Sequence, residues 1–343
     1  MKIAMWSDTH VKVYKKNSSF YDNHISPSFE FFYNECKKRN VDLIIHLGDF
    51  FHVKEKIATE AYTKAYKFVS KISALAKNIY LVGNHDSYMK DNHSIHLLES
   101  FKPLASIVDL KYEMFDINGY RFHFMPYVKE EEIKEGLLKI NYLGNNRDFF
   151  FGHFGLHGFV MQQDNYTDQY STITKNMFSK FKRAFFGHFH FHQEQANCMY
   201  ISSPFESKHG DEQGKHGYVF YDTEKNEHEF IENPFSPKFK TIVLDKDSVK
   251  QILSSKNHFW RIYHPSGMNK EILNNLGKKL LETNYDVKFK ALETNTNQSY
   301  KIPVVEEWQD IVHKETDDIL LEWYILNKDT IPYSEEEMFA IFK

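Results

Sequence analysis

Apolar residues in the first third of the chain fall into short unbroken runs separated by longer stretches with helical spacing. Lys2 to Ser7 predicts a strand, and Pro27 to Arg39 predicts a helix with Phe29, Phe32 and Tyr33 among its apolar positions. Val41 to Leu47 follows as a strand whose core, Leu43-Ile44-Ile45, does not alternate. That pattern implies burial on both faces, as in the central strands of an α/β sheet. A second amphipathic helix is expected over Ala58 to Ala76 and a third strand over Ile79 to Val82. Strands alternating with helices in this order predict a layered α/β core with helical crossovers.

Further along, Tyr112 to Asp116 and Tyr120 to Phe124 flank Asn118-Gly119, a strong hairpin signal. Phe149 to Phe151, Arg183 to Phe186, Met199 to Ser202 and Tyr218 to Tyr221 add strands, and the sheets of this first domain are expected to end near Glu232. From Lys238 the pattern resets. It gives a strand to Leu244, a helix from Asp247, a strand over Phe259 to Tyr263, a helix over Asn269 to Glu282 and a strand over Asp286 to Phe289. The organisation this predicts is a first domain over 1–235, a small α+β unit over 236–292, a polar linker over 293–303 and a helical segment over 304–343. In that last segment Trp308, Ile311, Leu320 and Trp323 recur at helical spacing.

Composition narrows the class of protein. At 343 residues and 41% hydrophobic, the chain can bury a large core, and about 100–200 residues per domain makes two domains the expectation. The net charge of −4 announces no nucleic-acid binder, but it is unevenly spread: residues 301–343 carry −7 and the first 300 carry +3. Cys36 and Cys198 lack the spacing of a disulfide framework or zinc ribbon, which fits a reducing compartment. No leader is expected at Met1 to Trp6, and no apolar run approaches the about 20 residues of a membrane span, so a cytoplasmic protein is expected.

The candidate chemistry sits directly after the apolar strands. These read Asp8-Thr9-His10, Gly48-Asp49-Phe50-Phe51-His52, Gly83-Asn84-His85-Asp86, Gly152-His153 and Gly187-His188-Phe189-His190. Groups at the carboxyl ends of strands in an open α/β sheet converge on one crevice, so clusters spread over 180 residues are expected to form one site. The glycine before each of the last four is expected to let the backbone turn sharply. Carboxylates, an amide and imidazoles together suit manganese, iron or zinc. Seven such ligands are too many for one ion, whereas two ions about 3.5–4 Å apart can activate a water and clamp a phosphoryl group, with Asp49 as the natural bridge.

These five clusters, in this order, resemble the calcineurin-like metallophosphoesterase signature. His52, the Gly-His-Phe-His ending and the later α+β unit with tethered helices further resemble the SbcD family of DNA repair exonuclease subunits. Gly152-His153-Phe154-Gly155-Leu156-His157-Gly158-Phe159 is similar to the form found in phage recombination endonuclease subunits. The resemblance implies a β-sandwich core flanked by helices, with an α+β capping domain and C-terminal helices. It implies that Asp8, His10, Asp49 and His190 hold one ion, and that Asp49, Asn84, His153 and His188 hold the other, most naturally Mn²⁺. His85 would then protonate the leaving oxygen or stabilise the transition state, with Asp86 orienting it, and His52 would sit beside the phosphate and help place the strand end. The implied activity is 3′-to-5′ exonucleolytic on duplex DNA and endonucleolytic on single strands. Its implied partners are DNA, a second copy of the chain, and an SbcC-like coiled-coil ATPase bound through the C-terminal helices around Trp308, Ile311, Leu320 and Trp323. One departure stands out: relatives continue the first motif with Leu-Gly, and this chain has Val11-Lys12 followed by Tyr14-Lys15-Lys16.

Lys12, Lys15, Lys16, Lys54 and Lys56 are candidates to track a phosphate backbone beside the site, although charge clusters are ordinarily solvated faces. Lys208 and His209 follow Pro204 in a loop that also offers substrate contacts, against a plain solvated-loop reading. His46, His123, His192 and His264 match no motif and carry no assigned chemistry. No G-x-x-x-x-G-K-[ST] occurs among the 14 glycines, so any ATP dependence has to come from a partner.

Overall fold

The structure, a computed structural model, describes residues 1–292 apart from 13–19, 53–56, 90–91, 163–165, 265 and 267. Lys15, Lys16, Lys54, Lys56, Trp308, Ile311, Leu320 and Trp323 therefore lie outside the described residues. The chain divides into two compact units, Met1–Phe239 and Lys240 onward.

Two six-stranded sheets make the first unit. One runs in the order Glu227–Glu232, Gly217–Asp222, Lys2–Trp6, Leu43–His46, Lys77–Leu81, Ser106–Val108, and its last four strands are mutually parallel. The other runs Gln193–Gln195, Cys198–Tyr200, Arg183–Gly187, Asp148–His153, Tyr120–Met125, Glu113–Ile117. Alternation along each strand sorts the apolar residues between layers. Ile3, Met5, Leu43, Ile45, Ile79 and Leu81 face Phe122, Phe124, Phe149, Phe151 and Phe185 in the core between the sheets.

The residues between them in sequence point outward and are covered too, which is why the runs do not alternate. Trp6 stacks on Phe32 at 4.9 Å and meets Phe29 and Phe68 edge-on, so the helices Ser26–Arg39 and Thr59–Ser73 cover that face. Phe150, Ala184 and Phe186 bury instead against Phe154, Phe178, Phe181 and Ile133, the last from the helix Glu130–Leu138. The first helix closes on Asn40, whose left-handed φ of 50° lets its N–H reach the carbonyls of Cys36 and Lys37. The α/β sandwich flanked by helices is thus the architecture observed.

Its strands Lys2–Trp6, Leu43–His46 and Lys77–Leu81 are in parallel register, so their carboxyl ends lie side by side. Asp148–His153 and Arg183–Gly187 are likewise parallel, with Gly187 opposite His153. All five chemical clusters begin at those ends.

The second unit holds a three-stranded sheet of Lys238–Val243, His258–His264 and Asp286–Ala291 with the helices Lys246–Leu253 and Lys270–Leu281. Its core is Leu244, Ile252, Trp260, Ile262, Leu273 and Leu280. Among the described residues no helix is long and apolar enough to cross a membrane.

Candidate metal centre

Asp8 follows the first strand with a left-handed φ of 51°, and its N–H donates to the Gly48 carbonyl at 2.9 Å. His10 N–H donates to the Asp49 carbonyl at 3.0 Å, so the first two loops are stitched together by main chain. Gly48 is the one cluster glycine with positive φ, 95°. The other cluster glycines are needed for space. A Cβ on Gly83 would lie 2.2 Å from Asp49 Oδ1, and one on Gly187 would lie 2.2 Å from Ser7 Oγ and 2.4 Å from the Leu47 carbonyl. The turning role expected for all four is therefore corrected to one turn and several close approaches.

The seven candidate ligands converge. Nε2 of His10 lies 3.2 Å from Nε2 of His190, 3.8 Å from Asp49 Oδ2 and 4.0 Å from Asp8 Oδ1. On the other side of Asp49, Nε2 of His153 is 3.4 Å from Oδ1. Asn84 Oδ1 sits between two imidazoles, 3.2 Å from His153 Nε2 and 3.0 Å from His188 Nδ1. The two oxygens of Asp49 thus face two separate groups of donors. The donor atoms of Asp8, His10 and His190, and likewise those of Asp8, Asp49 and His153, lie within 4.8 Å of one another.

Burial and mutual charge set the protonation pattern. Burial opposes charge on His153, but the Asp49 carboxylate outweighs it and pushes the imidazole up to about 9. Burial would likewise raise Asp49, yet His153, His10 and His85 around it hold it well below the usual carboxylate range. Burial drives His10 well down, and burial together with His153 takes His188 down to about 3. So many lone pairs facing one another, with two buried carboxylates among them, is a donor set that fits two divalent cations of the manganese, iron or zinc type.

His85 stands beside this group. Its N–H donates to Asp49 Oδ1 at 2.7 Å, its Nδ1 donates to the His52 carbonyl at 3.1 Å, and its ring lies 4.8 Å from that of His10. The His52 ring stacks on it at 5.5 Å. Burial, then Lys12 and His85, lower the His52 imidazole to about 4, which locates Lys12 beside the site.

Asp86 does not orient His85. Its Oδ2 accepts from the backbone N–H of Asp49 at 2.8 Å and of Gly83 at 3.0 Å, and its Oδ1 accepts from Phe51 N–H at 3.0 Å. With both oxygens spent on loop amides and the side chain fully buried, the carboxylate is a brace for the second and third loops. His209 is corrected as well. It is packed edge-on against Phe239 at 5.1 Å and bonded to Glu212 at 3.0 Å, so the plain solvated-loop reading does not hold for it. Lys208 is exposed, and its ammonium is near enough to disfavour charge on His190.

Three participants escaped the sequence reading. Ser7 Oγ donates to Asp8 at 2.5 Å, the Leu47 carbonyl accepts from His153 Nδ1 at 2.5 Å, and Asp211 faces His190 Nδ1 at 3.2 Å. Only Asp211 left a trace, since it lies in the polar loop from which Lys208 and His209 were singled out. A further trio, His96, Glu99 and Asp109, also brings its donor atoms together, but Lys102 Nζ already lies 2.8 Å from Glu99 and 3.2 Å from Asp109.

A sandwich of two mixed sheets with carboxylates, an amide and histidines at its strand ends defines a metallophosphoesterase. Residues 1–202 match the calcineurin-like phosphoesterases, and the chain belongs to that family, whose members are dimetal enzymes. Among its relatives is exonuclease subunit 1 of Enterobacteria phage T4, 29% identical over 202 residues, which are 57% of this chain and 58% of that protein. The DNA double-strand break repair protein Mre11 of Sulfurisphaera tokodaii is 26% identical over 189 residues, 54% of this chain and 47% of that one. A putative phosphoesterase, 244L, of Invertebrate iridescent virus 6 is 26% identical over 255 residues, 70% and 84% of the two chains. The chain therefore spans about half the length of the first and second of these relatives.

Proposed function

We propose that the protein is a two-metal DNA phosphodiesterase, the nuclease subunit of an SbcCD-like complex that processes DNA ends. The observation that carries this reading is the convergence of Asp8, His10, Asp49, Asn84, His153, His188 and His190 on the two faces of one carboxylate, with His85 and His52 alongside. The kinship to a phage exonuclease subunit and to the DNA double-strand break repair protein Mre11 supports DNA as the substrate.

Asp8, His10, Asp49 and His190 would hold one ion and Asp49, Asn84, His153 and His188 the other, with Mn²⁺ the best match to the mixed donors. When bound, the ions supply an activated water and stabilise charge on the phosphoryl oxygens. The chain's own residues do the rest. The Nδ1–H bond from His85 to the His52 carbonyl leaves Nε2 free of that contact, and in the doubly protonated imidazolium Nε2 would give its proton to the departing sugar oxygen while Nδ1–H stays on the carbonyl. Asp49 Oδ1 accepts the His85 N–H, which ties that acid to the carboxylate that both ions would share. His52, stacked on His85, and the Lys12 and Lys208 ammonium groups flank the site where phosphates on either side of the cleaved bond pass.

By the same reading, cleavage runs 3′ to 5′ on duplex ends and is endonucleolytic on single strands, in the cytoplasm of the cell or of a phage host. The protein works as a homodimer with a coiled-coil ATPase held by the segment around Trp308, Ile311, Leu320 and Trp323. The deciding experiment is cleavage of end-labelled duplex and single-stranded DNA with Mn²⁺, against a phosphomonoester, by wild type and His85→Ala. Metal-dependent DNA cleavage that falls about 10²-fold or more in His85→Ala, with Mn²⁺ and DNA binding retained, is expected. Hydrolysis of the monoester alone, or full cleavage by the variant, overturns the reading.

A further inference from the structure

Two histidines of the last two clusters are backed differently on the ring nitrogen turned away from the candidate ions. His153 Nδ1 donates to the Leu47 carbonyl. His190 Nδ1 faces a carboxylate, Asp211 Oδ2, at 3.2 Å, with Ser207 Oγ also at 3.2 Å. That carboxylate is 1% exposed as a residue and is built in from several sides. The same Oδ2 accepts from Ser207 N–H and Ser207 Oγ, both at 2.9 Å, and from Lys208 N–H at 3.3 Å. The Asp211 carbonyl in turn accepts from His216 Nε2 at 2.9 Å, and Ser203 N–H donates to the His190 carbonyl at 3.3 Å.

We propose that Asp211 is a positioning residue for the metal centre: its carboxylate holds His190 with Nδ1 protonated and Nε2 turned toward His10, and so sets the affinity of the ion position formed by Asp8, His10 and His190. The inference rests on the two-metal reading above. Burying a carboxylate costs several kcal/mol unless it is paired, so a site that surrounds one with donors and aims it at an imidazole has a reason to keep the charge. A carboxylate behind an imidazole raises its basicity as a ligand and locks its ring, which a main-chain carbonyl does less strongly. The two ion positions are therefore unequal by construction. The one containing His190 depends on a loop some twenty residues downstream, and the one containing His153 depends on the strand end at Leu47.

The competing account is that Asp211 merely staples its own loop through Ser207 and Lys208. Asp211→Asn keeps the size and an acceptor oxygen for those donors but removes the charge. Ser207→Ala removes a staple together with the neutral Nδ1 partner of His190, and leaves the carboxylate facing that nitrogen. The test is a Mn²⁺ titration of the metal-free full chain, followed by calorimetry and electron paramagnetic resonance, in wild type and both variants. It is joined by ¹⁵N NMR of the histidine rings in metal-free wild type and Asp211→Ala. We expect two ions in wild type, a loss of about 10- to 100-fold at one ion only in Asp211→Asn, and a smaller loss at that ion in Ser207→Ala. We also expect His190 to carry its proton on Nδ1 in wild type and to become a mixture of tautomers in Asp211→Ala. Unchanged binding in Asp211→Asn, or equal weakening in Ser207→Ala, overturns the proposal. Should wild type bind fewer than two ions, the two-metal reading fails. The His190 tautomer then decides the role of Asp211 alone: an unaltered Nδ1–H in Asp211→Ala rejects it.

Discussion

Replacing Asp86 with alanine separates a structural brace from a catalytic accessory. The carboxylate accepts three backbone N–H groups, from Asp49, Phe51 and Gly83, in a fully buried position. Each buried donor left without a partner costs about 1–3 kcal/mol, so the three together cost roughly 3–9 kcal/mol. That is a large part of the roughly 5–15 kcal/mol that holds a domain folded. For a unit of this size about 2–4 °C of melting temperature goes with each kcal/mol, so Asp86→Ala should melt at least about 6 °C below wild type. Asp86→Asn can keep its oxygen toward Asp49 and Gly83 and loses only the bond to Phe51, so its drop should be smaller. His85→Ala gives up one side-chain bond, to the His52 carbonyl, and should melt near wild type. Differential scanning calorimetry of the metal-free protein reads all three. If Asp86→Ala melts with wild type and loses only cleavage, the bracing argument is wrong and an orienting role returns.

Other consequences follow from the same geometry. Gly83→Ala places a Cβ against Asp49 Oδ1, held by the His85 N–H, and Asp49 N, held by the Asp86 carboxylate, and should abolish two-ion Mn²⁺ stoichiometry in calorimetry. Gly119→Ala meets nothing within 4 Å and should leave metal binding intact while costing about 1–2 kcal/mol for its φ of 79°. In metal-free protein, burial holds His10, His46, His188 and His216 below the ordinary imidazole range, so the unfolded chain takes up their protons first. Stability should therefore fall as pH drops below about 6.5, by up to about 1.4 kcal/mol per pH unit for each. Asp8 and Asp86, raised by burial, and His153 and His190, raised by Asp49 and Asp211 against burial, pull the other way, but the lowered His52, His123 and His192 add to the loss, leaving it the larger effect. A urea midpoint higher at pH 5.5 than at pH 7 would contradict this.

Much of the fold was legible because two-faced burial writes itself as unbroken apolar runs. Leu43-Ile44-Ile45 and Phe149-Phe150-Phe151 are each buried throughout, with alternate residues serving different layers. The helix Glu130–Leu138 left no such mark, since Ile133 is its one buried side chain and its first turn holds Glu130, Glu131 and Glu132. The hairpin of Ser87–Met89 and Asn92–His96 was also invisible, its polar residues offering no strand pattern. Sheet order was beyond reach for a different reason. Lys2–Trp6 pairs with Gly217–Asp222 across more than 200 residues, and such a partner is chosen by the assembled core rather than by local signals.

The site was legible in its residue types and not in its backbone, and the gap has a physical cause. Asp8, His10, Asp49 and His188 have φ values of 51°, 43°, 57° and 94°, a region that side-chain-bearing residues avoid. Local preference would put glycine there, and the chemistry forbids it, because glycine carries no ligand. Each such position costs about 1–3 kcal/mol, so four of them approach the stability of a whole domain. Something must over-determine them, and the hydrogen bonds name it. Asp8 is held by Gly48 and by His188 N–H, His10 by the Asp49 carbonyl, and Asp49 by the buried carboxylate of Asp86. The candidate ligands thus fix one another's main chain through the protein's own hydrogen bonds. For that reason the brace at Asp86 belongs to the site even though it touches neither His85 nor a candidate ion position.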